Sequence, residues 1–138
     1  MNTRFSSLVT IKKSDVDKGE RAVQNANKDL QNAKKALEEA YLSLKDIELP
    51  SKGSISQMLA SRTLLNSQRN EIIHNKEWVK YAYSQLKSTQ EQLKITMIEY
   101  EKFKYLELEE TKKILKQKQL IEAKELDEIA LMTYKKNN

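Results

Sequence analysis

Cysteine is absent, which excludes disulfides and thiolate metal sites. Histidine occurs once, as His74, so there is no second imidazole for a metal site and no Cys–His pair for nucleophilic catalysis. Gly19 and Gly53 are the only glycines and cannot build a phosphate-cradling loop. Glu107, Glu109 and Glu110 lie too close in sequence to converge on one ligand, and such a run reads as a solvated helix face. No stretch approaches the roughly 18 apolar residues that span a bilayer. The segment Met1–Ser6 lacks the apolar core of a signal peptide, so the expected compartment is cytoplasmic and reducing. No enzymatic activity, cofactor or metal is expected.

Charge is plentiful: 33% of residues are charged against 38% hydrophobic. That balance cannot fill a globular interior, yet it suits elongated helices, because a coiled coil buries only about two residues in seven. Disorder would also tolerate the charge, but disordered chains lack a sustained apolar period, and this one has it. Net charge is +5. Residues 1–48 carry nine basic and eight acidic groups, 49–98 seven and three, and 99–138 nine and nine. The basic middle suits an acidic protein surface or anionic headgroups. Nucleic acid is not expected, since Arg4, Arg21, Arg62 and Arg69 are the only arginines and form no cluster.

The one strong break is Leu49-Pro50-Ser51-Lys52-Gly53-Ser54. Pro50 lacks an N–H and drives Leu49 out of the helical region, so a first helix ends near Glu48. Ser54 followed by Gln57 has capping-box spacing and starts a second helix. The expectation is an all-α, long two-helix antiparallel coiled-coil hairpin forming a single domain. Helix 1 covers about 4–48, the turn 49–54, and the longer helix 2 about 55–135. Ser14 with Asp17 offers a later start for helix 1, while Phe5, Leu8 and Ile11 argue for helix upstream.

Val9, Val16, Val23, Leu30, Leu37 and Leu44 recur every seven residues, with Gly19, Ala26, Ala33 and Ala40 among their companions. Met58, Leu65, Ile72, Val79, Leu86, Leu93 and Tyr100 repeat the pattern in helix 2. A strict seven-residue period implies a left-handed supercoil. Folding about Pro50 predicts large residues facing large: Leu44 with Met58, Leu37 with Leu65, Leu30 with Ile72, and so on to Val9 with Leu93. Small residues then face long ones: Ala40 with Arg62, Ala33 with Arg69, Ala26 with Lys76, and Gly19 with Tyr83.

In that register helix 1 runs out opposite about residue 100 and leaves roughly 35 residues of helix 2 without a partner. Phe103, Leu108, Ile114, Leu115, Ile121, Leu126, Ile129 and Met132 remain on this overhang. An exposed apolar stripe on a lone helix belongs against something, so the overhang is the expected binding element. Pairing of two overhangs into a homo-oligomer is the alternative. Off the seam, Tyr41, Trp78 and Tyr81 are candidate contacts.

Two stretches resemble a known family. The tail Glu125-Leu126-Asp127-Glu128-Ile129-Ala130-Leu131, ending in Lys135-Lys136, and the start Phe5-x-x-Leu8-x-x-Ile11 running into Asp15-Val16-Asp17 are similar to the FliJ family of flagellar type III export. Length, hairpin layout and turn position match along essentially the whole chain. The resemblance implies a stalk similar to the γ subunit of rotary ATP synthases. Such a stalk inserts into and promotes the hexameric export ATPase, binds the cytoplasmic linker of the export-gate membrane protein, and handles export chaperones. It would be peripheral to the membrane through partners only, at the cytoplasmic face of the inner membrane. On this chain it implicates Phe5, Leu8, Leu108, Leu115, Leu126, Ile129 and Met132 for the ATPase ring. The gate-binding surface departs from the family's pattern, because Ala36, Ala40 and Ser43 are small where the family carries polar and aromatic residues; Tyr41 is the substitute there, and the off-seam Trp78 and Tyr81 are the other gate candidates. The related stalks of virulence secretion systems share the architecture.

Overall fold

Capping chemistry fixes where the helices begin. The computed structural model describes residues 2–47 and 53–137, and among them helix is the only regular structure: α1, Ser6–Lys45, and α2, Ile55–Asn137. The fold is an all-α antiparallel hairpin whose second helix is the longer. Thr3 starts α1: its hydroxyl accepts from the Phe5 N–H at 3.1 Å, and the Thr3 N–H donates to Ser6 Oγ at 2.8 Å. This reciprocal cap lies upstream of Ser14, so the Phe5–Ile11 stretch belongs to the helical start. At the far end Ile47 N–H donates to the Leu44 carbonyl at 3.3 Å, a tightened last turn, with Lys45 favourably placed against the helix dipole.

Ser54 and Gln57 form the anticipated box. The Gln57 N–H donates to Ser54 Oγ at 3.2 Å and the Ser54 N–H to Gln57 Oε1 at 3.4 Å. A Cβ on Gly53 would stand 2.6 Å from that same Oε1, so the missing side chain leaves room for the Gln57 amide to reach back. The expected turn at Pro50 and helix end at Glu48 lie outside the described residues.

The chain divides into two units, Asp17–Ile95 and Met1–Val16 with Thr96–Asn138, each combining a piece of α1 with a piece of α2. In the first, Leu30, Ala33 and Ala82 form the buried core, with Val79 and Leu86 packed against it. Gly19 lies against Leu93, and Asn75 Nδ2 donates to the Ala36 carbonyl at 3.4 Å. Numbers rising along α1 meet numbers falling along α2, so the helices are antiparallel. Ala33 is fully buried, and Ala26, Ala40 and Ile72 nearly so.

These contacts correct the register. Gly19 meets Leu93 where Tyr83 was expected, and Leu30 packs with Ala82 where Ile72 was expected. The shift is about ten residues along α2, roughly 15 Å at the rise of an α-helix. Volume explains it. Each observed layer sets a large side chain against a small one, Leu30 against Ala82 and Leu93 against Gly19, so the backbones approach and the space is filled evenly. Facing large to large would leave the Ala-rich layers underfilled. Several of the expected partners are accordingly in water: Met58 and Tyr83 are exposed, as are Arg62, Arg69 and Lys76.

In the second unit, Lys12 Nζ lies 2.7 Å from Glu99 Oε2 and 5.9 Å from the centre of the Phe103 ring, and Arg4 reaches Glu110 at 3.5 Å. The antiparallel sense is the same. Val16 is buried, and Phe103 and Leu106 are half-buried. The pairing thus runs to Glu110, not to residue 100, and the unpartnered part of α2 is shorter than expected. Every described side chain from Leu115 to Lys136 is exposed.

Candidate functional site

Among the described residues there is no group of three His, Cys, Asp or Glu side chains able to hold a metal, and no helix long and apolar enough to cross a membrane. The features with binding character are apolar side chains left in water. They fall in two places.

The first is the end of α2. Thr111 and Ile114 are half-buried, and from Leu115 onward α2 presents Leu115, Ile121, Leu126, Ile129 and Met132 with 43%, 58%, 65%, 59% and 71% of their surface exposed. These are values for a helix with no neighbour. At 100° per residue, Ile114, Ile121 and Met132 continue the face that Thr96 and Phe103 turn toward α1. Leu108, Leu115 and Leu126 align on a second line roughly 100° around. Ile114, Ile121, Lys118 and Glu125 border one shallow surface depression, which marks the continuing seam. Ile114 and Ile121, apolar residues of the overhang not among those assigned to the ATPase ring, resume the heptad series through Tyr100 after its lapse at Glu107 and so follow the partnered face.

Phe5 and Leu8 sit at the start of α1. Phe5 is half-buried with the Arg4 guanidinium 4.9 Å from its ring centre, and Leu8 is 38% exposed. The Arg4–Glu110 pair brings this start level with Leu108. Leu126 stands about 16 residues beyond Glu110, roughly 24 Å further along the helix, and Met132 further still. The seven residues therefore form a base of Phe5, Leu8 and Leu108 and a separate distal stripe.

The second place is the Asp17–Ile95 unit. Lys76 Nζ lies 5.7 Å from the Tyr41 ring centre, so Tyr41 flanks the Lys76 side of α2. Trp78 follows Lys76 by two residues, about 200° around the helix, and Tyr81 is one turn on from Trp78. Trp78 and Tyr81 are 40% and 64% exposed. The three aromatics do not converge: Trp78 and Tyr81 share one flank, and Tyr41 lies on the other.

Electrostatics at the base are set by one pair. The hydrogen bond from Lys12 holds the Glu99 carboxyl below its ordinary range, and the same bond raises Lys12. This fixes the approach of α1 to α2 just after α1 begins. In a comparison with known families, the model described as Flagellar FliJ protein matches residues 1–138. No curated protein and no solved structure matches.

Proposed function

The chain belongs to the FliJ family of the flagellar protein export apparatus, a non-enzymatic family, and from that premise we propose that it is the export stalk. Its distal α2 stripe enters the hexameric export ATPase and promotes the working ring. The observation that carries this reading is the exposed run Leu115–Lys136, a helix whose apolar side chains have no neighbour to cover them. Leu126, Ile129 and Met132 supply the grip, with Phe5, Leu8 and Leu108 at the base of the stripe. The stalk performs no chemistry; it biases the arrangement of the ATPase subunits by binding one arrangement better than another.

Contact with the cytoplasmic part of the export-gate membrane protein is assigned to Trp78 and Tyr81, an exposed aromatic pair one helical turn apart, with Tyr41 serving a separate flank. Export chaperones are further partners, and the site of action is the cytoplasmic face of the inner membrane. A second reading, self-association of the tail into a homo-oligomer, draws on the same exposed stripe.

One experiment separates these. ATP hydrolysis by the export ATPase is measured with the full chain and with Leu126→Asp/Ile129→Asp/Met132→Asp. Stimulation lost in the variant supports the stalk reading. Stimulation unchanged, together with a full-chain dimer that the same variant dissolves in light scattering, overturns it in favour of self-association.

A further inference from the structure

Between Ile55 and Ile98, α2 carries six basic residues: Arg62, Arg69, Lys76, Lys80, Lys87 and Lys94. At 100° per residue all six fall within roughly 40° of the helix circumference, in two successive seven-residue series. Each is exposed, and none has an ion-pair partner among the described residues. The stripe is straight and spans about 48 Å. Its own unit does not neutralise it. Lys76 stands over Tyr41, and Tyr41 lines a shallow groove of α1 with Lys34, Glu38 and Lys45, so α1 adds two cations and one carboxylate to this side. Glu77, three residues before Lys80, and Glu91, between Lys87 and Lys94, are the acidic residues of α2 beside the stripe in this unit, two carboxylates against six cations.

Apolar groups are interleaved with the charges. Tyr83 borders the stripe with Lys87 Nζ 5.5 Å from its ring centre, and Ile73 precedes Lys80 by one heptad. Ile73, Tyr83, Leu42 and Tyr41 are each 40% exposed or more.

We infer that this side of the Asp17–Ile95 unit lies against an anionic lipid surface. A flat sheet of anionic headgroups can meet a long straight row of cations without any matched spacing. Lysine stems lie along the apolar boundary with their ammonium groups among the phosphates, and tyrosine rings settle at headgroup depth. Duplex nucleic acid curves away from a straight row, and four of the six cations are lysines, which lack the bidentate fork of arginine. A direct lipid contact adds to any membrane association that arises through partners. It also orients the unit, since the six basic residues of α2 share one side.

The test is flotation of the full chain with phosphatidylcholine vesicles containing phosphatidylglycerol, at about 0.1 M salt where exposed charges still act across roughly 10 Å. Each cation near an anionic leaflet strengthens binding about fivefold. Lys80→Gln/Lys87→Gln/Lys94→Gln is therefore expected to weaken it roughly a hundredfold. The matching Arg triple retains binding. Lys18→Gln/Lys28→Gln/Lys35→Gln, the same loss of charge on other faces of α1, leaves it within about fivefold of the parent. Circular dichroism on all variants reports that the helices persist. The inference is overturned by any of three results: no binding to the anionic vesicles, equal loss in both Gln triples, or tighter binding to duplex DNA or polyglutamate than to the vesicles.

Discussion

Gly19 and Leu93 approach so closely that a Cβ built on Gly19 stands 3.7 Å from the Leu93 Cβ and 3.0 Å from its Cδ1. The first distance matches the Cβ separation of about 3.8 Å in a disulfide. Because the chain has no cysteine, the double substitution Gly19→Cys/Leu93→Cys is expected to close one intramolecular bridge on mild oxidation, read as a mobility shift reversed by reductant. Gly19→Cys/Tyr83→Cys, which tests the register expected from the heptads, is expected to stay open. The reverse outcome would discard the observed register.

The Lys12–Glu99 pair makes stability depend on pH at two limbs. The folded carboxyl of Glu99 is depressed below its ordinary 4.5, so its contribution is present above that value and lost as pH falls through the lower folded value. Lys12 is raised above 10.5, so its contribution is complete below 10.5 and lost as pH rises through the higher folded value. The melting temperature of the parent is therefore expected to exceed that of Glu99→Gln across the window between those limbs. The difference is expected to vanish at the acid end. Both groups are solvent-accessible, so salt narrows the gap. Thermal melts followed by circular dichroism check it. A gap that persisted in strong acid would show that the pair does not act through its charge.

Asn75 is the one polar residue buried among the described residues, and its amide donates to the Ala36 carbonyl. A buried Asn in a coiled-coil seam fixes alignment at some expense in stability. Asn75→Leu is expected to raise resistance to urea by about 1 kcal/mol or leave it unchanged, while loosening the register. The loosening is measured as lower yield of the engineered disulfide when Asn75→Leu is added to Gly19→Cys/Leu93→Cys. Undiminished yield would mean that volume matching alone holds the alignment.

Much of the fold is legible in the residues themselves. The two seven-residue ladders identify which face of each helix is apolar, and Ser54 with Gln57 announces the start of α2. The offset between the ladders is not legible. Heptads specify faces and leave several alignments compatible. Choosing among them requires comparing the volumes of facing layers, where Ala82 under Leu30 fills space that Ile72 would overfill. The Thr3–Ser6 cap escapes notice because a serine at the third helical position replaces the usual Glu or Gln. At the candidate site, the apolar content of the tail is apparent from composition. The separation of Tyr41 from Trp78 is not, because it depends on which flank of α2 each aromatic occupies.

The small residues Gly19, Ala26, Ala33 and Ala40 set how near the two backbones come in the Asp17–Ile95 unit, and this divides evolutionary freedom unequally between the helices. A drift toward bulk at those four sites of α1 would pry the rods apart. Facing aliphatics such as Val79 and Leu86 can interchange at similar size with little penalty. Divergence among relatives would then accumulate on outward flanks first, and a lineage that enlarged one of the four would need a matching reduction across the seam.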